Sequence, residues 1–183
     1  MITVAHVLGK HIEMVRHHQE APYKGKEMNV IFLDIDGVLN WARSFGQPTK
    51  HSVWVIDPEL VARLNRILES VDNLTIVLSS SWRYAVAKNQ IDLNQLLREQ
   101  GYNGPQIIER TVLDSEIGED GFVERGNEIQ MWLDQHPEVE RFVILDDDDD
   151  MGHLKPNLVQ TSFENGGLTD EHVNEIIRRL MPL

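Results

Sequence analysis

The chain has 183 residues, 41% of them apolar, with 30 acidic against 17 basic side chains and a formal net charge of -13. That length and apolar share suit one globular unit with its own core, and the absence of cysteine excludes disulfide frameworks and thiolate metal sites. The charge argues against a broadly basic nucleic-acid surface, no apolar run approaches the roughly 20 residues that cross a bilayer, and the cytoplasm is the expected compartment.

Residues 1–27 read as an arm. Val4, Leu8, Ile12 and Val15 fall at helical spacing, and a basic stretch with Pro22 and Gly25 follows, so an N-terminal helical arm and linker is expected ahead of a domain spanning residues 28–183. His11, His17 and His18 lie in that arm, with nothing beside them to suggest a metal site.

From Met28 onward strands and helices alternate. Asn29 to Leu33 is a continuous apolar run rich in strand formers, Pro58 to Ser70 has helical periodicity through Leu60, Val61, Leu64, Ile67 and Leu68, and Leu74 to Leu78 is a second strand. Ile91 to Gln100 reads as a helix stopped by Gly101, and Ile107 and Ile108 form a weaker strand candidate. Asn127 to Gln135 is a helix, Phe142 to Leu145 a strand, and Thr169 to Leu180 a closing helix opened by a Thr/Asp/Glu cap. Short apolar strands alternating with helices predict an α/β fold with a mainly parallel sheet covered on both faces.

In an open α/β sheet, ligands bind beyond the carboxyl ends of the strands. The residues that directly follow the apolar runs are Asp34-Ile35-Asp36-Gly37, Ser79-Ser80-Ser81-Trp82-Arg83, and Asp146 to Asp150. Three strand ends thus present carboxylates, hydroxyls and more carboxylates. Hydrolysis of a phosphate ester needs a nucleophile, an acid for the leaving oxygen, and positive charge on the phosphoryl oxygens. Asp34 suits the nucleophile, and Asp36 turns back toward the same site over the tight path that Gly37 allows. Clustered carboxylates repel unless a cation joins them, and an oxygen-only set suits Mg²⁺.

These motifs carry a resemblance. FLDIDGVL resembles the first signature of the haloacid dehalogenase (HAD) superfamily, SSSWR its second and ILDDDDD its fourth, in order between Ile31 and Asp150. The phrasing IVLSSSWR and RGNEIQMWL is similar to that of small HAD domains associated with RNA-repair polynucleotide phosphatases. The resemblance implies a three-layer Rossmann-like core and a Mg²⁺-dependent phosphomonoester hydrolase working through an aspartyl phosphate. Asp34 would be nucleophile and metal ligand, and Asp36 the general acid/base whose main-chain carbonyl also binds metal. Ser80, or else Ser79, would hold the phosphoryl group. Asp147 would ligate the metal directly, with Asp146 beside it as a direct or water-mediated ligand. The third motif departs from the pattern: between Trp82 and Leu145 the one lysine is Lys88, in the wrong place. Arg125, ahead of the Asn127 helix, is the substitute cation for phosphate, with Lys155 in reserve.

Plainer readings stand beside these. Asp34 and Asp36 could be solvated turn acids, the serines could cap the next helix, and Asp148 to Asp150 suit a solvated or N-capping turn. Arg83 is open between phosphate contact and a surface ion pair. Trp41, Trp54 and Trp132 read as packing residues, and Trp82 is open. The segments Asn40 to Asp57 and Tyr84 to Glu124 are too short for a full cap domain, so an open site is expected, with a small phosphorylated molecule or a nucleic-acid end as substrate. A polynucleotide substrate further predicts a local basic groove built from Arg43, Lys50, Arg83 and Arg110. The alternative is a phosphate- or metal-binding regulatory module that has lost turnover, favoured only by the missing lysine.

Overall fold

Apolar runs without alternation become strands only where both sheet faces are covered. In the computed structural model, which describes residues 28–46, 54–117 and 123–181, this holds throughout the sheet's centre. The strands β1 (Met28–Leu33), β2 (Leu74–Leu78), β3 (Glu109–Arg110), β4 (Val139–Asp146) and β5 (Leu158–Gln160) form one sheet in the order β3-β2-β1-β4-β5, and every pair is parallel. Between them run the helices α1 (Pro58–Ser70), α2 (Arg83–Ala87), α3 (Leu93–Glu99), α4 (Asp114–Ile117), α5 (Arg125–Leu133) and α6 (Asp170–Leu180), with 3-10 turns at Ala42–Gly46 and Gly152–Asn157. The expected arm at residues 1–27 lies outside the described residues.

Alternate side chains of β1 enter two cores. Ile31 and Leu33 join Leu60, Val61, Leu64 and Ile67 of α1, Leu97 of α3, and Val173, Ile176 and Leu180 of α6. Val30 and Phe32 join Ile129 and Trp132 of α5 on the opposite face, where the Phe32 ring meets the Trp132 ring edge-on at 5.4 Å. The result is a three-layer Rossmann-like core. Its helices begin where their caps dictate: Asp57 accepts from the Glu59 amide at 2.9 Å ahead of Pro58, Asp92 accepts from Gln95 at 3.0 Å, and Thr169 forms a capping box with His172.

The third strand differs from the Ile107–Ile108 reading. Asn94 holds the Ile107 backbone from both sides, donating to its carbonyl at 3.0 Å and accepting from its amide at 2.8 Å, so strand pairing begins two residues later at Glu109. Ile108 is left 73% exposed, the fate of a residue at an edge with no layer above it. Strand β5 and helices α2 and α4 are additions to the elements read from periodicity, all too short to show a period. Among the described residues nothing folds as a separate cap, and no helix is long and apolar enough to cross a membrane.

The chain moves outward from β1 through β2 to β3, then crosses back to β4 and β5. The gap between the carboxyl ends of β1 and β4 is therefore the topological switch point, where loops diverge and leave a crevice.

Candidate active site

Register sets the site. Leu33 of β1 is aligned with Leu78 of β2 on one side and Leu145 of β4 on the other, which puts Asp34, Ser79 and Asp146 at one level on the carboxyl edge. The ladder continues one step further, with the Asp34 amide donating to Leu145 at 2.9 Å and the Ser79 amide to Leu33 at 2.8 Å. The backbone of the nucleophile candidate is thus fixed by the sheet itself.

Asp34, Asp146 and Asp147 each bring a carboxylate oxygen to within 4.8 Å of the others. Asp34 is 6% exposed and Asp146 fully buried. Burial raises both carboxyl groups well above the ordinary range; at Asp34 the charge of Arg125 and a hydrogen bond with Ser80 pull the other way, and at Asp146 the charge of Asp34 raises it further. Asp147 is also raised, first by burial and then by Asp148. One oxygen of Asp146 accepts from the Asp148 amide at 3.0 Å, while Oδ2 is buried without a hydrogen-bond partner. Three hard oxygen donors, with a buried oxygen beside them that accepts no hydrogen bond, fit a divalent cation such as Mg²⁺.

The cluster needs Gly37. Its φ of +71° lies in the left-handed region, and a Cβ there would fall 2.2 Å from the Asp147 carboxylate carbon, so the Asp147 side chain lies directly on the glycine. Thr161, itself buried, donates to the Gly37 carbonyl at 2.7 Å and ties this turn to the chain beyond β5.

Arg125 opens α5 and reaches the same crevice. Its Nη1 stands 3.7 Å from Asp34 Oδ1 and 3.4 Å from Asp146 Oδ2, and also donates to the Ser79 carbonyl. Burial works against its charge, but Asp146 and Asp34 outweigh that, and its pKa lies above the usual arginine value. Close approach of the helix start makes this reach possible: a Cβ on Gly126 would fall 2.2 Å from the Met151 carbonyl oxygen. Lys155, the reserve candidate, is instead paired with Asp149 at 2.7 Å, both side chains more than half exposed. Asp148 to Asp150 are exposed, as a solvated acidic turn would be.

The serines divide. Ser80 hydrogen-bonds Asp34 and accepts from the Trp82 amide at 3.3 Å, whereas the Ser79 hydroxyl is fully buried with no partner and presents only its carbonyl to Arg125. Arg83 needs correction as a phosphate ligand. Its guanidinium is buried and spent within the fold, on Glu128 of α5, the Ser80 carbonyl at 3.0 Å and the Val112 carbonyl at 3.1 Å. Nor is it a surface ion pair, since both partners are about 5% exposed or less. It braces the Ser80 turn against the helix that carries Arg125.

Asp36 stands apart from the three-carboxylate cluster. Its Oδ1 accepts from Asn40 Nδ2 at 2.7 Å and its Oδ2 from the Trp82 indole N–H at 2.9 Å. Asn40, Thr161, Gly126 and Glu128 were not singled out by sequence reasoning. Asn40, four residues past Asp36, had a legible signal, since a buried polar side chain at the end of an apolar turn must have partners.

The expected basic groove is not assembled among the described residues. Arg83 is buried, and Arg110 forms a two-pronged pair with Glu116 at 2.9 and 2.7 Å. Lys50 lies outside the described residues, and Arg43 is exposed.

A parallel Rossmann-like sheet with strand-end carboxylates, an aspartate pair and a partly buried arginine at its switch point is a HAD-type core. Residues 30–173 match the family described as the HAD domain in Swiss Army Knife RNA repair proteins, and the chain belongs to that family. No curated protein and no solved structure matches it.

Proposed function

We propose that this domain is a Mg²⁺-dependent phosphomonoester hydrolase that works through an aspartyl phosphate on Asp34, with the terminal phosphate of an RNA as its substrate. The observation that carries the reading is Asp34 itself: a buried carboxylate held by the central strand, hydrogen-bonded by Ser80 and faced by the partly buried guanidinium of Arg125. The family's phosphatase-type chemistry supports the reaction, and its association with RNA repair supports the substrate.

Each residue has a step. Asp34 attacks phosphorus, the bond from phosphorus to the ester oxygen breaks, and Asp36 gives that oxygen its proton. Water then attacks the phosphorus of the acyl phosphate, the bond to the Asp34 oxygen breaks, and Asp36 takes the proton from the water, releasing phosphate. Arg125 and Ser80 hold the phosphoryl oxygens through both displacements. Mg²⁺, held by Asp34, Asp146, Asp147 and the Asp36 carbonyl, would supply the positive charge that lets an anionic phosphate approach a carboxylate. With Arg125 in place of the absent lysine, the feature that favoured a non-catalytic phosphate-binding module loses its force.

Recognition rests on the terminus rather than on a long backbone track, since two of the four candidate groove cations are committed to carboxylates. The test is a panel of an aryl phosphate, a 3'-mononucleotide, and RNA oligonucleotides phosphorylated at the 3' or the 5' end, with and without Mg²⁺. Metal-dependent release of phosphate from an RNA end, with only a shallow salt dependence, is expected. Hydrolysis of the mononucleotide and aryl ester alone would restrict the substrate to small molecules, and no hydrolysis of any ester would contradict the reaction.

A further inference from the structure

We propose that Trp82 and Asn40 are positioning residues that fix the Asp36 carboxyl for proton transfer to the leaving oxygen, an inference that rests on the phosphatase reading above. Both oxygens of Asp36 accept a hydrogen bond, at 2.7 Å from Asn40 and 2.9 Å from Trp82. Each oxygen keeps a second lone pair, and a proton carried there points away from the two donors.

Neither donor is free to turn. Asn40 is fully buried; its Nδ2 also donates to the Val55 carbonyl at 3.0 Å, and its Oδ1 accepts from the Gly37 amide at 3.1 Å. Flipping the amide would set oxygen against two acceptors and leave the Gly37 N–H facing a donor, so the network selects one orientation. Trp82 is 3% exposed, and its ring meets Trp54 edge-on at 4.8 Å. An indole has one N–H and no acceptor, so a buried tryptophan whose N–H meets a carboxylate does something that a phenyl ring of similar packing cannot.

Both braces come from the same stretch. Val55 and Trp54 lie just ahead of the α1 cap, where the Asp57 amide donates to Leu39 at 2.8 Å. The Asp36 turn and this stretch therefore form one unit, and the carboxyl rotamer is set before any substrate arrives. Pre-setting the donor lowers the barrier where the leaving oxygen needs a proton and does little where it does not.

That difference gives the test. Trp82→Phe keeps an aromatic ring in the core but removes the pyrrole half of the indole together with its N–H. On an alkyl phosphate, whose leaving alkoxide requires protonation, its kcat/KM, which reports the steps up to formation of the aspartyl phosphate, is expected to fall by about 10- to 100-fold. On an aryl phosphate carrying a strongly acidic phenol, kcat/KM should stay within about threefold of the parent. Equal losses on both esters, or no loss on either, would overturn the proposal while leaving the phosphatase reading intact. Failure of the parent enzyme on both esters would overturn the two together. A readout independent of turnover is the indole ¹H–¹⁵N signal of Trp82, identified by its disappearance in Trp82→Phe. It should move on Asp36→Ala by more than the signals of Trp41 and Trp132, and an unmoved signal would overturn the proposal.

Discussion

Replacing Gly37 by alanine probes the proposed metal site without replacing a ligand. The substitution has two costs that can be separated. A side chain at φ +71° incurs left-handed strain of about 1–2 kcal/mol, offset in part by the reduced freedom of the unfolded chain. The second cost is local: the new Cβ would stand 2.2 Å from Asp147 Cγ, so the carboxylate has to retreat by roughly 1 Å to reach ordinary contact. A ligand displaced that far loses its shared geometry with Asp34 and Asp146, and misplacement of about 1 Å costs on the order of 100-fold in turnover. Gly101 is the control, because its φ is +90° and a Cβ there meets nothing within 4 Å. Melting curves should show both variants destabilised to a similar small extent. The Mg²⁺ concentration for half-maximal activity should rise more than tenfold in Gly37→Ala alone. A Gly37→Ala protein with the parent's Mg²⁺ dependence would refute the placement of Asp147 in the metal site.

Three further outcomes are expected. Gly126→Ala, whose Cβ would sit 2.2 Å from the Met151 carbonyl oxygen, should shift the start of α5 and lower kcat by at least about tenfold through Arg125, measured in steady state. Arg83→Met leaves Glu128 buried without its partner and should cost about 3–5 kcal/mol, read as a fall in Tm on the order of 10 °C, with Arg83→Met/Glu128→Leu recovering most of the loss. Burial raises Asp34 to about 6 and Asp146 to about 8, so in metal-free protein their contribution to stability is present below about pH 4 and is lost as pH climbs through those values. Because cation binding needs the ionised carboxylates, the rise in Tm on adding Mg²⁺ should be small near about pH 5 and larger near about pH 8; a pH-independent rise would contradict that linkage.

The parts of the fold that periodicity reveals were legible: β1, β2, β4, α1 and α6 lie within a few residues of the segments read from apolar spacing, because each fills a fixed place in one of two cores. Short elements were not. Strand β5 has three residues and β3 two, too few to carry an alternation, and β3 was displaced by side-chain bonds from Asn94 that no local pattern announces. In the candidate site, the sequence pointed to Asp34, Asp146 and Asp147 because strand ends bring acids to one edge, and to Arg125 because it stands just before the Asn127 helix and a guanidinium can bridge a phosphate and a carboxylate. Arg83 misled, since an arginine beside three serines looks solvent-facing until the fold supplies a buried glutamate 45 residues away. The roles of Asn40 and Trp82 depend on contacts across the turn and between distant segments, which composition cannot disclose.

The measurement closest to the central claim is chemical trapping of the acyl phosphate. Enzyme mixed with a phosphate ester and Mg²⁺ is quenched in acid during turnover and treated with borohydride, which reduces an aspartyl phosphate to homoserine. Peptide mass spectrometry should then find homoserine at position 34, and none in Asp34→Asn or in enzyme without substrate. Turnover with an unmodified residue 34, or with the label on Asp36, would contradict the account.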